Sequence, residues 1–386
     1  MMVNSRKKRN ILVITGTRAD YGLLRPIIIE LLKSSKLSAR ILITGMHFLK
    51  SRGETFREVL KDGFPVAAQV KVSERDDMLQ CLFKEISGIR NYCLRARPDG
   101  IFVLGDRDEM FAGAIVGAHL GIPIFHSRGG ELTGYVVDEH IRHAITKFSS
   151  LHFVTTKAHR RRVLQLGESP NRVFVTGATE FDGLQGIKFP SREKVGAKLS
   201  LDPEKKWIVV VQHPTPLDPV TFSDQIKPLL KIVAGITAEK IVIYPNSDTG
   251  GKILIGEINK YRNRRDFHIV PNLPRMDYLG FLNQADLLIG NSSSGIVDSG
   301  YLKIPSVQTG SREKGRERGK NVIECGYDEK SIVRTVSRAL SPEFKTLCRK
   351  SSSPYGKGGA AKKMVKIMEK QIDNKDLLLK NFVDFK

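Results

Sequence analysis

IFVLGDRDE at residues 101–109 and IPIFHSRGGE at residues 122–131 are the two stretches that decide the fold of this 386-residue chain. Each begins with a short apolar run that is typical of a buried β-strand, and each ends at once in acidic and basic side chains. In an open parallel sheet, ligands bind outside the carboxyl ends of the strands. The sequence therefore predicts an α/β protein whose charged site gathers at the strand ends.

A helix is predicted directly after the second of these strands. Residues 138–148, DEHIRHAITKF, place Ile141, Ala144 and Ile145 at helical spacing. Asp138 would lie in the first turn, where the helix dipole favours a carboxylate whether or not it does chemistry. A structural role and an acid–base role therefore both remain open for Asp138.

The rest of the first half alternates short apolar strands with helices, as parallel α/β folds do. Residues 11–15 form a first strand that leads into GTRADYG at residues 16–22, which we interpret as a glycine-bearing turn before a helix over residues 23–33. A strand is also predicted over residues 70–72. The turn lacks a Walker lysine and a dinucleotide glycine pattern, so it is either a phosphate site beside Arg18 or an ordinary turn.

Length favours two domains, because single cores seldom exceed about 250 to 300 residues and this chain has 386. The polar residues 183–206 are predicted to form a linker or a helical connection. Strands predicted at residues 207–211, 240–244 and 286–289 again run into polar residues at their carboxyl ends. Two such sheets facing each other would leave a cleft between their strand ends.

The second half carries its main binding signal in GNSSSG at residues 290–295. Three hydroxyls and several free amides at a helix start suit a phosphate without a lysine, although a serine-rich helix cap is the alternative. Arg312 follows in a basic loop, and the guanidinium fork matches two phosphate oxygens at once. His213, at the end of a predicted strand, is either a donor or acid for a leaving phosphate or a structural residue.

Composition and net charge favour a globular protein with a small substrate over a nucleic-acid-binding protein. With 40% hydrophobic and 27% charged residues, the chain has the make-up of a soluble globular protein. Its formal net charge of +22 leaves nucleic-acid binding as an alternative, but the basic residues are spread along the chain and are not interleaved with aromatics. An anionic small substrate is favoured instead.

The apolar runs, cysteines and histidines of the sequence bear on cellular location and on metal binding. No apolar run reaches the roughly 20 residues that a bilayer crossing needs. The basic start before residues 11–14 precedes too short an apolar run for a signal peptide, so these residues are interpreted as the first strand. The four cysteines have no zinc or Cys-x-x-Cys spacing, and the histidines match no metal-binding spacing. A cytoplasmic protein without a metal site is expected.

Seven motifs, in order between residues 10 and 370, together resemble the hydrolysing UDP-N-acetylglucosamine 2-epimerases of sialic-acid biosynthesis. Bacterial relatives that act on a UDP-2,4-diacetamido-trideoxyhexose on the way to legionaminic acid share these signatures. The motifs are GTRADYG (16–22), LGDR (104–107), GGE (129–131), IRHAITK (141–147), QHP (212–214), PNSD (245–248) and GNSSSG (290–295).

The resemblance implies two facing Rossmann-like domains in the glycosyltransferase B arrangement, with a cleft between them and neither metal nor cofactor. The expected divisions are an N-terminal domain at residues 1–185, a UDP-binding domain at residues 186–370, and a C-terminal helix or tail at residues 371–386 that packs back on the first domain. The implied reaction eliminates UDP across C1 and C2 to a 2-acetamidoglycal and then adds water, which releases the free manno-configured sugar.

The resemblance also implies roles for individual residues. It places three carboxylates in acid–base roles, together with a histidine beside the leaving phosphate: Asp106, Glu131, Asp138 and His213. It places the substrate-binding residues at Arg18, Asp20, Arg107, Asn246, Asp248, Ser292, Ser293, Asp298 and Arg312. The residues alone do not indicate which carboxylate removes the C2 proton.

Two positions depart from the family pattern. The family has Glu where Asp298 stands, which bears on contact with the ribose, and bacterial relatives have His where Arg128 stands, which bears on the sugar accepted. Alternatives are a non-hydrolysing epimerase, which would return a UDP-sugar, a glycosyltransferase on the same scaffold, and a nucleic-acid-binding protein. A homodimer or homotetramer with a UDP-sugar substrate is expected.

Overall fold

The computed structural model describes residues 7–132, 137–245 and 249–384. The chain divides into two compact units, of which the first comprises Met1–Gln185 with Gly356–Lys386 and the second comprises Gly186–Tyr355. Each unit contains one parallel β-sheet flanked by helices.

The described part of the chain contains thirteen strands in two sheets. In the first unit the sheet order is β3-β2-β1-β4-β5-β6-β7, and in the second it is β10-β9-β8-β11-β12-β13. The strands are β1 (Arg9–Thr15), β2 (Leu37–Ile43), β3 (Val66–Gln69), β4 (Gly100–Leu104), β5 (Ile124–Ser127), β6 (Leu151–Val154), β7 (Val173–Val175), β8 (Trp207–Val211), β9 (Glu239–Ile243), β10 (Phe267–Val270), β11 (Leu287–Gly290), β12 (Ser306–Thr309) and β13 (Val322–Cys325).

Within each unit, helices connect all consecutive strands except β12 and β13, because parallel pairing requires a crossover connection. Those of the first unit are α1 (Arg18–Lys33), α2 (Phe56–Lys61), α3 (Met78–Ala96), α4 (Asp108–Leu120), α5 (Val137–Phe148), α6 (Lys157–Gln165) and, from the C-terminal segment, α14 (Ala360–Gln371). Those of the second unit are α7 (Arg192–Gly196), α8 (Lys227–Ala234), α9 (Gly251–Asn259), α10 (Arg275–Gln284), α11 (Val297–Leu302), α12 (Glu329–Ala339) and α13 (Pro342–Lys350). Among the described residues, no helix combines the length and the apolar character that a membrane span requires.

The first helix begins earlier than the sequence predicted. We expected a turn over residues 16–22 and a helix from residue 23, but α1 begins at Arg18. The reason is a capping box, in which the backbone N–H of Asp20 donates to Thr17 Oγ1 at 3.2 Å and the backbone N–H of Thr17 donates to Asp20 Oδ2 at 2.8 Å. The turn is therefore confined to the residues before Arg18.

The third strand is also displaced from its predicted position. We expected a strand over residues 70–72, whereas β3 spans Val66–Gln69. It pairs with β2 through Leu42 and Ala68, next to a register irregularity. Either segment of this apolar stretch suits a strand, and pairing with β2 decides between them.

The sheet of the first unit is covered on both faces. Leu24 and Ile28 of α1 pack on one face in the same apolar cluster as Met364 and Met368 of α14. The carboxylate of Asp182 accepts hydrogen bonds from the first two backbone N–H groups of α14, at 2.9 and 2.6 Å. The C-terminal helix is thus part of the core of the first unit.

The second unit has its own core. Trp207, at the start of β8, is fully buried, and its indole N–H donates to the Asp202 carbonyl at 2.9 Å. The residues predicted as a linker include the short helix α7, where Arg192 lies over the Trp207 ring with 4.2 Å between the guanidinium carbon and the ring centroid. That part of the predicted connection is therefore helical and packed against the second sheet.

Candidate active site

Parallel pairing brings polar segments to one edge of the first sheet. β4 pairs with β5 through Leu104 and Ser127, so the segments that follow these residues leave the sheet side by side. Asp106 lies on the first of these segments and Glu131 on the second. Asp138 lies in the first turn of α5, as predicted.

Arg142 of α5 links the two strand-end segments. Its guanidinium forms an ion pair with the Asp106 carboxylate and donates to the backbone carbonyl of Glu131 at 2.6 Å. It also donates to Glu139 Oε2 at 3.0 Å. Only 2% of Arg142 is exposed, so solvent screens these contacts weakly. Arg142 therefore holds both acid-bearing segments against α5.

The Glu131 carboxylate is buried among donors. Its Oε1 atom accepts from Arg128 Nε at 3.0 Å and from Thr155 Oγ1 at 3.2 Å. Thr155 Oγ1 lies 2.5 Å from Nδ1 of His159 on α6. Segments after β5 and β6 thus meet at this carboxylate, and a donor environment of this kind favours its ionised form.

Arg107 and Asp138 add a second cluster of charges. Arg107 donates to both oxygens of the buried Glu109, at 3.1 and 3.2 Å. Burial opposes charge on Arg107, but the Glu109 carboxylate outweighs it and raises the pKa of the guanidinium. Burial raises the pKa of Asp138, and Arg107 counteracts part of the rise. A carboxyl of raised pKa near the arginine-paired Glu109 is suited to supply a proton.

Asp20 is a buried carboxyl in the first turn of α1. Thr15 Oγ1 donates to its Oδ1 at 2.5 Å, and Thr15 also lies 2.9 Å from His47 Nε2. Burial raises the pKa of Asp20 to about 7, against hydrogen bonds that favour its charged form. Burial lowers the pKa of His47 to about 4, so this imidazole is neutral at physiological pH.

Glu85 of α3 is another buried carboxyl of the first unit, and it lies near Glu109. Its Oε1 accepts from Thr44 Oγ1 at 3.1 Å, and only 1% of the residue is exposed. Burial, and then the neighbouring charge of Glu109, raise the pKa of Glu85 to about 8. Gly16 and Gly45 leave the space that Glu109 occupies, since an added Cβ would lie 2.5 and 2.2 Å from its carboxylate oxygen.

In the second unit, Asn291 connects two strand ends. Its side-chain oxygen accepts from the backbone N–H of His213 at 2.6 Å, and its Nδ2 donates to the His213 carbonyl at 2.8 Å. The preceding Gly290 has a φ of 140°, and an added Cβ would lie 2.0 Å from the Val211 carbonyl oxygen. The backbone of the half-buried His213 is therefore fixed beside the serine-rich segment.

The serine-rich segment forms a single 3-10 turn before α11. Ser292 and Ser293 are half-buried, and Ser292 Oγ accepts from the backbone N–H of Ser294 at 3.4 Å. Ser294 Oγ lies 2.5 Å from the hydroxyl of Tyr278. Ser292 acts as a helix cap in this structure, and Ser293 lies beside it at the carboxyl end of β11.

Asp298 and Arg312 are both engaged in ion pairs. Arg275 Nη1 and Nη2 donate to the two oxygens of the buried Asp298, at 2.9 and 2.6 Å. Arg312 Nη1 lies 2.8 Å from Glu313 Oε1 and donates to the Asn291 carbonyl at 3.3 Å. Arg312 therefore lies next to the segment that carries Ser292.

Comparison with known proteins identifies the family. The model of the family described as UDP-N-acetylglucosamine 2-epimerase matches residues 29–369. The chain belongs to the UDP-N-acetylglucosamine 2-epimerase family. This confirms the resemblance that the seven motifs indicated.

Relatives of this family member match over almost their full length. A UDP-N,N'-diacetylbacillosamine 2-epimerase (hydrolyzing) from Legionella pneumophila is 33% identical over 94% of this chain and 96% of its own. Polysialic acid biosynthesis protein P7 from Escherichia coli is 32% identical over 97% of both chains. The structure of UDP-GlcNAc 2-epimerase from Neisseria meningitidis bound to UDP-GlcNAc has a TM-score of 0.79 at 18% identity and covers 94% of this chain and 100% of that chain. The α/β fold with two parallel-sheet domains is confirmed.

Three other predicted site residues of this epimerase-family member take no part in the contacts described above. Arg18 is exposed in the first turn of α1, with its Nε 3.1 Å from Glu58 Oε2. Asn246 and Asp248 lie outside the described residues. Within residues 7–132, 137–245 and 249–384, no group of three or more His, Cys, Asp or Glu side chains is arranged to hold a metal ion.

Several residues around the candidate acids were not predicted from the sequence. Arg142, four residues after Asp138, is one turn further along the same helix face, which was the available signal. Glu109 was read only as part of a charged strand end. Glu85 and His47 carried no signal, because nothing in their own segments shows that α3 brings Glu85 near Glu109 or that the segment after β2 brings His47 to Thr15.

Proposed function

We propose that this chain is a hydrolysing 2-epimerase that converts UDP-N-acetylglucosamine and water into N-acetylmannosamine and UDP. Membership of the family supports a UDP-2-acetamido sugar as substrate. The name of the Legionella relative includes hydrolysis, which supports release of the free sugar. The structural observation that carries the proposal is Arg142, which holds Asp106 and the Glu131 segment together at one sheet edge.

The proposed chemistry has two steps. In the first, a carboxylate removes the C2 proton as the C1–O bond to the diphosphate breaks, which gives a 2-acetamidoglycal and UDP. In the second, water adds its oxygen to C1 while a proton returns to C2 on the opposite face. The balance is one UDP-sugar and one water consumed for one free 2-epimer and one UDP, and no oxidant or metal takes part.

Both steps need carboxyl groups in different protonation states. Asp106 and Glu131, paired with arginines, are suited to act as carboxylates. Asp138, whose pKa burial raises, is suited to supply a proton. These three residues form the proposed acid–base group.

We propose that the second unit holds the nucleotide. His213 donates to the departing diphosphate, and Ser292, Ser293 and Arg312 contact it, because hydroxyls, amides and a guanidinium are the donors that stabilise developing phosphate charge. The remaining proposed substrate contacts are Arg18, Asp20, Arg107, Asn246, Asp248 and Asp298. For Asp298, contact with the ribose would have to coexist with its Arg275 pair or replace it.

A second sugar is the main alternative within this proposal. The Legionella relative is named for UDP-N,N'-diacetylbacillosamine, a 2,4-diacetamido sugar, and the Escherichia coli relative is named for polysialic acid biosynthesis. The two identities of 33% and 32% do not separate the substrates. In either case the product would enter biosynthesis of a nonulosonic acid, of the sialic or the legionaminic type.

The test is an assay of products with each UDP-sugar. We expect purified protein to release UDP and the free 2-epimer from UDP-N-acetylglucosamine, detected by anion-exchange chromatography and by proton NMR in D2O. Deuterium should appear at C2 of the product, because the removed proton exchanges with solvent. A product that remains joined to UDP would establish the non-hydrolysing reaction instead. Turnover of the 2,4-diacetamido sugar alone would establish the alternative substrate.

We propose a cytoplasmic homodimer or homotetramer without a cofactor. Met78, Leu79 and Phe83 of α3 are 60%, 66% and 70% exposed, and an apolar group of this kind is typical of a surface that another chain covers. Light scattering coupled to gel filtration measures the assembly, and a monomer at micromolar concentration would contradict it.

A further inference from the structure

Arg128 has a backbone conformation that side-chain-bearing residues seldom adopt. Its φ is 71°, in the left-handed region, immediately after β5. Its backbone N–H donates to the Phe153 carbonyl at 3.0 Å, which ties the turn to β6. A glycine would occupy this conformation with less strain, so the arginine side chain calls for a separate explanation.

The side chain lies between two carboxylates from different segments. Arg128 Nε is 3.0 Å from Glu131 Oε1, and Arg128 Nη1 is 2.8 Å from Glu180 Oε1. The three side chains are 14%, 10% and 15% exposed, respectively. This is a nearly buried group of one cation and two anions, in which removal of the cation would leave two carboxylates facing each other.

We propose that Arg128 is a positioning residue for Glu131, which keeps the Glu131 carboxylate ionised and holds its Oε1 atom in place. The inference deepens the proposed function and rests on it. Burial opposes charge on Arg128, but the carboxylates of Glu131 and Glu180 outweigh it and raise the pKa of the guanidinium. An arginine this close to a carboxylate lowers the carboxyl pKa by about 1 to 3 units.

Other titratable and charged groups around Glu131 come from several elements. His159 of α6 contacts Thr155, which donates to Glu131, and Arg142 of α5 donates to the Glu131 backbone. His126 of β5 donates from Nε2 to the Gly105 carbonyl at 2.8 Å, and burial lowers its pKa to about 3. His126 is therefore uncharged above that pH. Arg128 places a guanidinium cation at hydrogen-bond distance from the carboxylate oxygen Oε1.

The experiment compares Arg128→Met and Arg128→Lys with the matched control Glu180→Gln. We expect Arg128→Met to lower kcat by about 100-fold while KM changes by less than about threefold, because the loss falls on a proton-transfer group. The acid limb of the kcat/KM profile should move upward by about 1 to 3 pH units. Arg128→Lys keeps the positive charge but lacks the guanidinium fork. Compared with Arg128→Met, it should therefore bring the acid limb part of the way back to its wild-type pH and restore a smaller part of kcat.

Glu180→Gln keeps the Arg128–Glu131 contact and removes the second carboxylate. We expect its kcat to stay within about threefold of the wild type and its acid limb to stay in place or move to lower pH. A folded Arg128→Met protein with the wild-type kcat and acid limb would overturn the proposal. So would equal kcat losses in Arg128→Met and Arg128→Lys with no movement of the limb, which indicate a structural role alone. Arg128→Lys decides the question if Arg128→Met does not fold.

A substrate-free measurement separates this inference from the proposed function. The unfolding free energies of the wild type, Arg128→Met, Glu131→Gln and the double variant, measured from about pH 2 to 8, give the coupling between the two side chains and cover the range in which a lowered carboxyl pKa is titrated. A coupling that disappears at low pH supports an ionised Glu131 held by Arg128, even if wild-type protein releases no UDP. Active wild-type protein with no coupling at any pH overturns the inference and leaves the proposed function in place.

Discussion

Arg142 donates a hydrogen bond from Nη1 to the backbone carbonyl oxygen of Glu131 at 2.6 Å. The same guanidinium pairs with Asp106, so one buried cation serves two candidate acids that are 25 residues apart in sequence (131 − 106). Backbone attachment fixes where the Glu131 segment runs, whereas the ion pair fixes the Asp106 carboxylate. The arrangement of the acids therefore depends on a residue outside the proposed acid–base group.

Arg142→Met is expected to destabilise the fold by about 3–5 kcal/mol, because it leaves the partly buried Asp106 carboxylate without its cation. Turnover should be lost in parallel. Urea denaturation followed by circular dichroism measures the first effect, and the UDP-release assay measures the second. The control is Arg161→Met on α6, an exposed residue, which should change stability by less than about 0.5 kcal/mol. Equal effects of the two variants would contradict the role of Arg142.

Asp106→Asn, Glu131→Gln and His213→Ala are each expected to lower kcat by at least about 100-fold while the proteins remain folded. Each change removes a group that takes part in the proposed proton transfers or in departure of the diphosphate. Steady-state kinetics with the accepted UDP-sugar checks this, with Glu204→Gln, an exposed residue, as the control. Full activity in all three variants would remove the proposed site.

Glu85→Gln is expected to gain stability relative to the wild type as pH rises. The pKa of Glu85 is raised from 4.5 to about 8 by burial and Glu109. Below about pH 4.5 the carboxyl is protonated in both states. Between 4.5 and about 8 the unfolded chain ionises while the folded carboxyl keeps its proton, so wild-type stability falls by up to about 1.4 kcal/mol per pH unit. Glutamine does not titrate and avoids this loss.

The measurement for Glu85 is the denaturation midpoint of both proteins at several pH values across that window. The difference between variant and wild type should widen toward higher pH. A constant difference would show that Glu85 titrates in the folded protein as it does in the unfolded chain. Glu204→Gln is the control, because it makes the same change at an exposed residue. The difference in stability between this variant and the wild type should not change with pH.

Lys380→Met is expected to destabilise the first unit by about 1–3 kcal/mol. Lys380 Nζ donates to the carbonyls of Thr146 and Ser149 at 3.0 and 2.8 Å and lies 2.7 Å from the buried Glu168. Methionine fills similar space but removes these three contacts, although Glu168 keeps Lys147 and His152 as partners and the Thr146 carbonyl keeps the Ser149 N–H. Thermal unfolding checks the loss, and the exposed Lys375→Met should behave as the wild type.

Gly290→Ala is expected to cost several kcal/mol of stability. Its φ of 140° is disfavoured for alanine, and the added Cβ would meet the Val211 carbonyl oxygen at 2.0 Å. Gly256, inside α9, has open space around an added Cβ. Gly256→Ala should therefore stabilise the protein by about 0.5–1 kcal/mol. Relative to the wild type, the denaturation midpoint should fall for Gly290→Ala and rise for Gly256→Ala. Equal midpoints for the two variants would contradict this expectation.

Local sequence patterns determined much of the fold. The apolar runs that became β1, β4 and β8, and the helical spacing of α5, could be predicted because each depends on neighbours in the chain. Asp106 and Glu131 could be predicted at the strand ends of the first sheet, and His213 at those of the second, because a parallel sheet delivers the residues that follow its strands to one edge. Their proposed roles came from the family resemblance. The start of α1 was misplaced even though its capping box, Thr17 with Asp20, is a local signal.

The tertiary structure decided the environment of each charge. Arg142, Glu85 and Glu109 act through contacts with segments distant in sequence, and burial, which changes the strength of every charge interaction, is not a property of a residue type. The pKa of Asp20, for example, is raised to about 7 because the folded chain buries this carboxyl. Sequence alone thus determined which residues arrive at the strand ends, whereas packing decided which of them are paired, protonated or held in place.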